Sequence, residues 1–230
     1  MGLPNGVHHL AIATRDMKAQ IEFFTQVVGM ELVALYWMHG VPDTFHGFLR
    51  LGDSASLAFV QMPEMRTIEP KLGLSHAGSA AAPVAPGAMQ HVALNVESEA
   101  DLLALRDRIR SSGYQVLGPI DHGMCKSMYL SAPEGIALEF ATSAAPIDAD
   151  EWIDPEVVGL CGIDAQELAR YRRPAAFVAR GGAVPQPRPD VRPGLFPPAP
   201  QTAAILAMSD AEVTRILDFT TPPVPKRAAG

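Results

Sequence analysis

Three side chains that could bind a metal ion lie in predicted strands. His9 and His91 stand 82 residues apart in two short apolar runs, and Glu139 stands in Ile136-Ala137-Leu138-Glu139-Phe140. A carboxylate inside an apolar strand is costly unless it is paired or bound to metal. Two imidazoles and one carboxylate from three strands can occupy one face of an octahedron, as at non-haem Fe(II) sites. The residues therefore predict a metal centre with open positions for O₂ and a chelating substrate.

The two histidines belong to an internal repeat, which favours the metal interpretation. A single histidine on a strand is usually packed or solvated, but Val7-His8-His9-Leu10-Ala11 and Gln90-His91-Val92-Ala93 carry histidine at the same place. His8 is expected on the opposite strand face from His9, because strand side chains alternate. The repeat therefore predicts two copies of one structural unit.

Each copy reads as a strand, a helix and three further strands. The helices are predicted at 16–28 and 98–112 from apolar residues at helical spacing, each followed by glycine as a left-handed cap. The later strands are predicted at 31–37, 46–51 and 56–62 in the first copy and at 115–120, 126–131 and 136–142 in the second. The predicted fold class is α+β, with two βαβββ modules.

Composition divides the chain near residue 145. We predict a two-module domain over 5–145, with module 1 at 5–71, module 2 at 88–145 and a Gly/Ala/Pro-rich linker between them. Thirteen of the 21 prolines lie from Pro146 onward. We predict that 146–230 is an extension with a polyproline-type arm at 183–200 and short helices at 164–172 and 209–219, each with a capping box.

Composition also excludes several classes of protein. Hydrophobic residues make up 48% of the chain and charged residues 19%, which indicates a globular protein. No apolar run approaches the roughly 18 residues of a membrane span, and we expect no signal peptide. Two cysteines argue against a disulfide scaffold and favour a cytoplasmic protein. The net charge of -7 argues against nucleic-acid binding.

The segment from Ile120 to Glu139 resembles the signature of the type I extradiol ring-cleaving dioxygenases, which belong to the vicinal oxygen chelate superfamily. In that pattern a histidine is followed by an apolar-Tyr pair, a small residue with Pro, a Gly and then a Glu. The matching residues are Ile120, His122, Met128, Tyr129, Ala132, Pro133, Gly135 and Glu139. The resemblance covers about residues 6–142 and implies an open, barrel-like sheet of eight strands around a metal.

The resemblance also implies a role for single residues. His9, His91 and Glu139 would hold the metal. Tyr129 would hydrogen-bond a substrate hydroxyl or its oxygen near the iron. His122 would bind the other side of the catecholate and assist proton transfer.

The sequence departs from the family pattern at two places in module 1. The family usually has a second catalytic histidine before the last strand of this module, but Gly52-Asp53-Ser54-Ala55-Ser56 contains none. His46, His76 or His39 could supply it. Glyoxalase-like relatives also place a carboxylate where Ala58 aligns with Glu139, and Gln61 could replace it only through a bulge. The missing fourth ligand favours a three-ligand iron site.

These observations predict an Fe(II)-dependent dioxygenase that cleaves a catechol-type aromatic diol with O₂, with Mn(II) as a possible substitute metal. We expect a homodimer, because an open sheet has edges to cover. Two alternatives remain open at this point. One is a metal-dependent isomerase or lyase of the glyoxalase or epimerase kind, and the other is a non-catalytic small-molecule-binding protein.

Overall fold

The computed structural model of the protein describes residues 4–178, 181–188, 191 and 199–224. Its strands are β1 (His9–Ala13), β2 (Leu32–Trp37), β3 (Phe45–Arg50), β4 (Ser56–Gln61), β5 (Val92–Asn95), β6 (Leu117–Asp121), β7 (Lys126–Ser131) and β8 (Ala137–Thr142). Its α-helices are α1 (Met17–Glu22), α2 (Glu99–Ser111), α3 (Ala149–Trp152), α4 (Pro155–Leu160), α5 (Ala165–Arg172), α6 (Pro200–Leu206) and α7 (Asp210–Leu217).

The eight predicted strands form two four-stranded mixed sheets with the same topology. Sheet 1 has the order β1-β4-β3-β2, and sheet 2 has the order β5-β8-β7-β6. In each sheet the first strand runs parallel to the last, and the remaining pairs are antiparallel. This confirms the α+β class and the two βαβββ modules. The sheets do not close into a barrel.

Each sheet packs one face against its own helix, and this packing forms the core. The backbone N–H of Met17, at the start of α1, donates to Gln61 Oε1 on β4 over 2.8 Å. In module 2, α2 packs against β7 and β8. The core side chains include Phe24, Leu57 and Phe59 from module 1 and Leu102, Met128 and Leu138 from module 2. The opposite face of each sheet, which we call the open face, carries His9 in sheet 1 and Glu139 in sheet 2.

The first helix differs from the prediction in its second half. Residues Phe23–Val28 form a π-helical segment that continues α1. It ends at Gly29, whose φ of 97° is the left-handed cap that the sequence predicted. The wider turn buries both Phe23 and Phe24. No simple sequence signal predicts such a segment.

The Glu134 carboxylate makes several of the hydrogen bonds between module 1 and module 2. Glu134 lies in the short 3₁₀ turn between β7 and β8, and it accepts from the Thr14 hydroxyl over 2.5 Å, the Arg15 backbone N–H over 2.9 Å and the Gln20 amide over 2.9 Å. The three donors come from the end of β1 and from α1. These bonds fix the connection entering β8 against the beginning of the first helix.

The described chain divides into two compact units, one reaching to Ala169 and the other beginning at Arg170. Both predicted helices of the extension are present, as α5 and α7. Ser209 and Glu212 form the predicted capping box of α7. Helices α3, α4 and α6 were not predicted from the sequence. Much of the predicted polyproline arm (189, 190 and 192–198) lies outside the described residues, and the boundary at 145 stays a prediction.

None of the helices in the described part of the chain combines the length and the apolar character that crossing a membrane requires.

Candidate metal centre

Four of the five predicted site residues form one connected string on sheet 2. His91 Nε2 lies 3.0 Å from Glu139 Oε2. The Tyr129 hydroxyl donates to Glu139 Oε1 over 3.3 Å and lies 2.9 Å from His122 Nε2. The string therefore runs from His91 through Glu139 and Tyr129 to His122.

Strand register explains why these side chains meet. Glu139 on β8 pairs with Tyr129 on β7 and with Ala93 on β5, so all three side chains share one face of the sheet. His91 lies just before β5, and its contact with Glu139 places its ring on the same side. The Glu139 side chain is 8% exposed, whereas His91 is 35% exposed. A nearly buried carboxylate thus faces an imidazole that solvent can still reach.

The residue before each repeated histidine engages its Nδ1 atom. His91 Nδ1 contacts Gln90 Oε1, and His9 Nδ1 lies 2.9 Å from His8 Nδ1. Metal-binding histidines usually use their second ring nitrogen in this way, which orients the first. The role of Gln90 was not predicted from the sequence, and His8 was expected on the opposite strand face from His9. His8 lies in a bend before β1, where strand alternation does not apply.

His9 lies on sheet 1, separate from the string on sheet 2. Its ring centroid is 6.3 Å from that of His46 and 5.6 Å from that of Phe48. Within residues 4–178, 181–188, 191 and 199–224, no group of three or more His, Cys, Asp and Glu side chains is placed to hold one metal ion. One chain therefore brings His91 and Glu139 together without His9.

The registers agree with the sequence alignment of the two modules. Ala11 pairs with Ala58 in sheet 1, as Ala93 pairs with Glu139 in sheet 2. No shift interrupts the pairing of β4 with β1 or β3 over their paired residues. Gln61 lies on the helix side of the sheet, where it caps the Met17 N–H. Neither Ala58 nor Gln61 therefore supplies a carboxylate-like ligand from module 1.

The three histidines considered as substitutes for the missing one lie in different places. His76 is in the linker, with Nδ1 2.9 Å from the Ser75 hydroxyl. His39 follows β2 and its ring lies 5.5 Å from that of Tyr36. Only His46 lies on the open face of sheet 1 beside His9. Phe48, one of the aromatic residues that could line a pocket, lies there too.

Two groups on the open faces have shifted pKa values. Burial, together with the nearby Glu139 carboxylate, raises the pKa of Tyr129, so this phenol is a proton donor at neutral pH. Burial and then the charge of His9 lower the pKa of His46, which favours its neutral form. Each open face thus carries an uncharged hydrogen-bonding ring next to a candidate ligand.

A cavity of about 490 Å³ opens along the edge of β1, between the linker and the start of β8. Its lining includes Leu10, Ile12, Met65, Ile68, Met89 and Ile136. None of the five predicted site residues lines it. Gln90, whose Oε1 atom contacts His91 Nδ1, does line it, so the cavity reaches the residue that adjoins this candidate ligand.

Comparison with known proteins places the chain in a family. The sequence profile of the Glyoxalase/Bleomycin resistance protein/Dioxygenase superfamily matches residues 6–140. Among curated proteins, none matches the chain.

Solved structures similar to this chain include a glyoxylase/bleomycin resistance protein/dioxygenase domain from Frankia sp. EAN1pec, with 16% identity and a TM-score of 0.47, covering 61% of this chain and 99% of that one. They also include TnmS3, an antibiotic binding protein from Streptomyces sp. CB03234, with 18% identity and a TM-score of 0.45, covering 63% and 100%. A glyoxalase/dioxygenase from Nostoc punctiforme has 16% identity and a TM-score of 0.44, covering 61% and 92%. At these values the likenesses do not bear on activity. The profile match spans more than half of the sequence, and the chain therefore belongs to the Glyoxalase/Bleomycin resistance protein/Dioxygenase superfamily.

Proposed function

We propose that the protein is an Fe(II)-dependent extradiol dioxygenase that cleaves the ring of a catechol-type diol with O₂. The observation that carries this proposal is the string His91–Glu139–Tyr129–His122. It joins two candidate metal ligands to two groups that can donate protons to a diol or accept protons from it. A buried carboxylate is costly unless it is paired or bound to metal, and this one lies between His91 and Tyr129.

The donor set on sheet 2 fits a metal of this class. An imidazole and a nearly buried carboxylate lie 3.0 Å apart, and such N and O donors suit Fe(II) or Mn(II). Bound there, the metal would supply a Lewis acid with open positions for a chelating diol and O₂. His91 and Glu139 would hold it through Nε2 and the carboxylate oxygens.

The third ligand, His9, would come from a second copy of the chain. One chain presents His9 on sheet 1 and the His91–Glu139 pair on sheet 2, without bringing them together. Both faces expose small side chains beside these ligands, Ala11 next to His9 and Ala93 next to His91. Because the modules repeat one another, a two-fold dimer would pair sheet 1 of each copy with sheet 2 of the other and complete two equal sites.

Tyr129 and His122 would act on the substrate. Tyr129 keeps its proton at neutral pH because its pKa is raised, so its hydroxyl would donate a hydrogen bond to a substrate oxygen. His122, within 2.9 Å of that hydroxyl, would accept a proton from the diol and return it later. The proposed metal ligands, His91 and Glu139, thus lie at one end of the string, and the groups that act on the substrate, Tyr129 and His122, lie at the other.

Anaerobic reconstitution with Fe(II), followed by O₂ uptake on addition of substituted catechols, tests the proposal. We expect uptake together with a yellow ring-cleavage product in the wild-type protein and in the control His76→Ala, and neither in Glu139→Ala. Bound metal without uptake for any catechol would contradict it. That result would favour an O₂-independent lyase or isomerase of the same superfamily.

A further inference from the structure

The open face of sheet 1 carries a cluster of rings beside His9. The Tyr36 and Phe48 rings are stacked, with an interplanar angle of 11° and centroids 6.2 Å apart. The His46 ring lies 4.3 Å from that of Phe48 and 5.8 Å from that of Tyr36. Faces of this kind favour planar aromatic ligands. We call Tyr36, His46 and Phe48 the ring cluster.

His46 is the polar member of the ring cluster, and one of its nitrogens has no partner. The residue is only 8% exposed. Its Nε2 atom is buried and makes no hydrogen bond with any described residue. A buried polar atom left without a partner destabilises the folded protein, and native proteins retain few of them. A ligand would satisfy this nitrogen once the His46 ring turns so that Nε2 faces the open side of the sheet.

The second module has no equivalent group. The registers place Ser127 at the position of His46, since Phe48 pairs with Ala58 as Tyr129 pairs with Glu139. Ser127 is fully buried, and its hydroxyl lies 3.5 Å from Cys125 Sγ. The His46 imidazole is therefore specific to module 1. The βαβββ module can pack without it, because module 2 has Ser127 at this position.

We propose that the ring cluster binds the ring of the substrate and that His46 Nε2 hydrogen-bonds a polar substituent on that ring, apart from the two vicinal hydroxyls. The inference rests on the proposed function, because it places the diol between the two open faces beside His9. Tyr129 and His122 would serve the vicinal hydroxyls from sheet 2. The substrate class becomes a catechol with a third hydrogen-bonding group.

The test compares ligands of nearly equal size with and without that group. Pyrogallol is paired with 3-methylcatechol, and 1,2,4-benzenetriol with 4-methylcatechol. Binding to the full-length protein is measured anaerobically by calorimetry, with and without Fe(II). We expect the wild-type protein to prefer the hydroxyl member of at least one pair by about tenfold, which is the effect of one hydrogen bond.

His46→Phe keeps a ring in the cluster but removes the nitrogen, and we expect it to abolish this preference. His46→Gln places an amide near the position of Nε2 and should retain part of it. Bound iron should be unchanged in both variants. The far-ultraviolet circular dichroism of each variant confirms folding, and the second variant keeps the test valid if the first does not fold.

Three outcomes would overturn the inference. In the first, the wild-type protein binds none of these ligands or shows no preference within either pair. In the second, the preference for the hydroxyl member survives in His46→Phe. In the third, His46→Phe loses iron, which would make His46 a metal ligand. Ring cleavage without a His46-dependent preference would refute this inference alone. A His46-dependent preference without O₂ uptake would refute the dioxygenase proposal alone.

Discussion

Phe48 occupies in module 1 the position that Tyr129 occupies in module 2. Phe48 pairs with Ala58 across the β3–β4 register, and Tyr129 pairs with Glu139 across the β7–β8 register. The repeat thus presents an apolar ring beside an alanine on one open face and a phenol beside a carboxylate on the other. In the proposed mechanism, sheet 1 therefore packs against the substrate ring, and sheet 2 supplies the acid–base groups.

Removing any one of the three proposed ligands should remove the metal. His9→Ala, His91→Ala and Glu139→Ala should each lower Fe(II) affinity by more than about a hundredfold, because loss of a residue that only hydrogen-bonds a metal ligand already costs about 10–100-fold. Metal content after anaerobic loading and gel filtration measures this effect. The control His76→Ala should bind iron like the wild-type protein. If any of the three ligand variants binds iron fully, the residue changed in that variant is not a metal ligand.

Tyr129→Phe should separate metal binding from turnover. The variant retains the ring but loses the hydroxyl that contacts Glu139 and His122. We expect unchanged iron content and a fall in kcat of about a hundredfold, typical of one lost proton donor. Tyr114→Phe, at a ring that packs on Phe23, is the matched control. An unchanged kcat in Tyr129→Phe would exclude its hydroxyl from the reaction.

A large side chain on the open face of sheet 1 should block assembly of the site. Ala11 is exposed and lies on the same face as His9. Ala11→Arg should therefore yield a folded monomer without iron, as measured by light scattering and metal analysis. Ala104→Arg, at an exposed position of α2, introduces the same side chain elsewhere and should leave both properties unchanged. A dimeric Ala11→Arg with full iron content would contradict the two-copy site.

Loss of the Glu134 carboxylate should destabilise the joined modules. Glu134→Ala removes three acceptor contacts, two of them to the buried residues Thr14 and Gln20. We expect the free energy of unfolding to fall by about 2–4 kcal/mol, since hydrogen bonds to charged groups contribute about 1.5–3 kcal/mol each and are not additive. Urea denaturation measures the change. Glu64→Ala, at an exposed position, should alter it by less than about 0.5 kcal/mol.

The fold was largely predictable because the pattern repeats. The strands around His9, His91 and Glu139 lie where alternation and apolar runs placed them, and the registers reproduce the alignment of Ala58 with Glu139. Local spacing determines these features. The π-helical segment at Phe23–Val28 was not predictable, since it reflects packing of the first helix in the folded core.

The site was predictable only in part. The signature from His122 to Glu139 contains residues close in sequence on adjacent strands, so its members meet for local reasons. The position of His9 relative to Glu139 depends on how whole modules pack, and local sequence patterns do not reveal that packing. The contacts of Gln90 with His91 and of His8 with His9 could have been predicted, since each residue directly precedes a repeated histidine.

Complementation between two inactive variants tests the central claim most directly. His9→Ala and Glu139→Ala chains, each unable to bind iron, are unfolded together, refolded as a mixture and loaded anaerobically with Fe(II). If each site takes His9 from one copy and the His91–Glu139 pair from the other, mixed dimers contain one intact site. Random mixing should then restore about a quarter of the wild-type iron content, together with O₂ uptake on catechol. Failure of the mixture to bind more iron than either variant alone, in dimers shown to be mixed, would contradict the account.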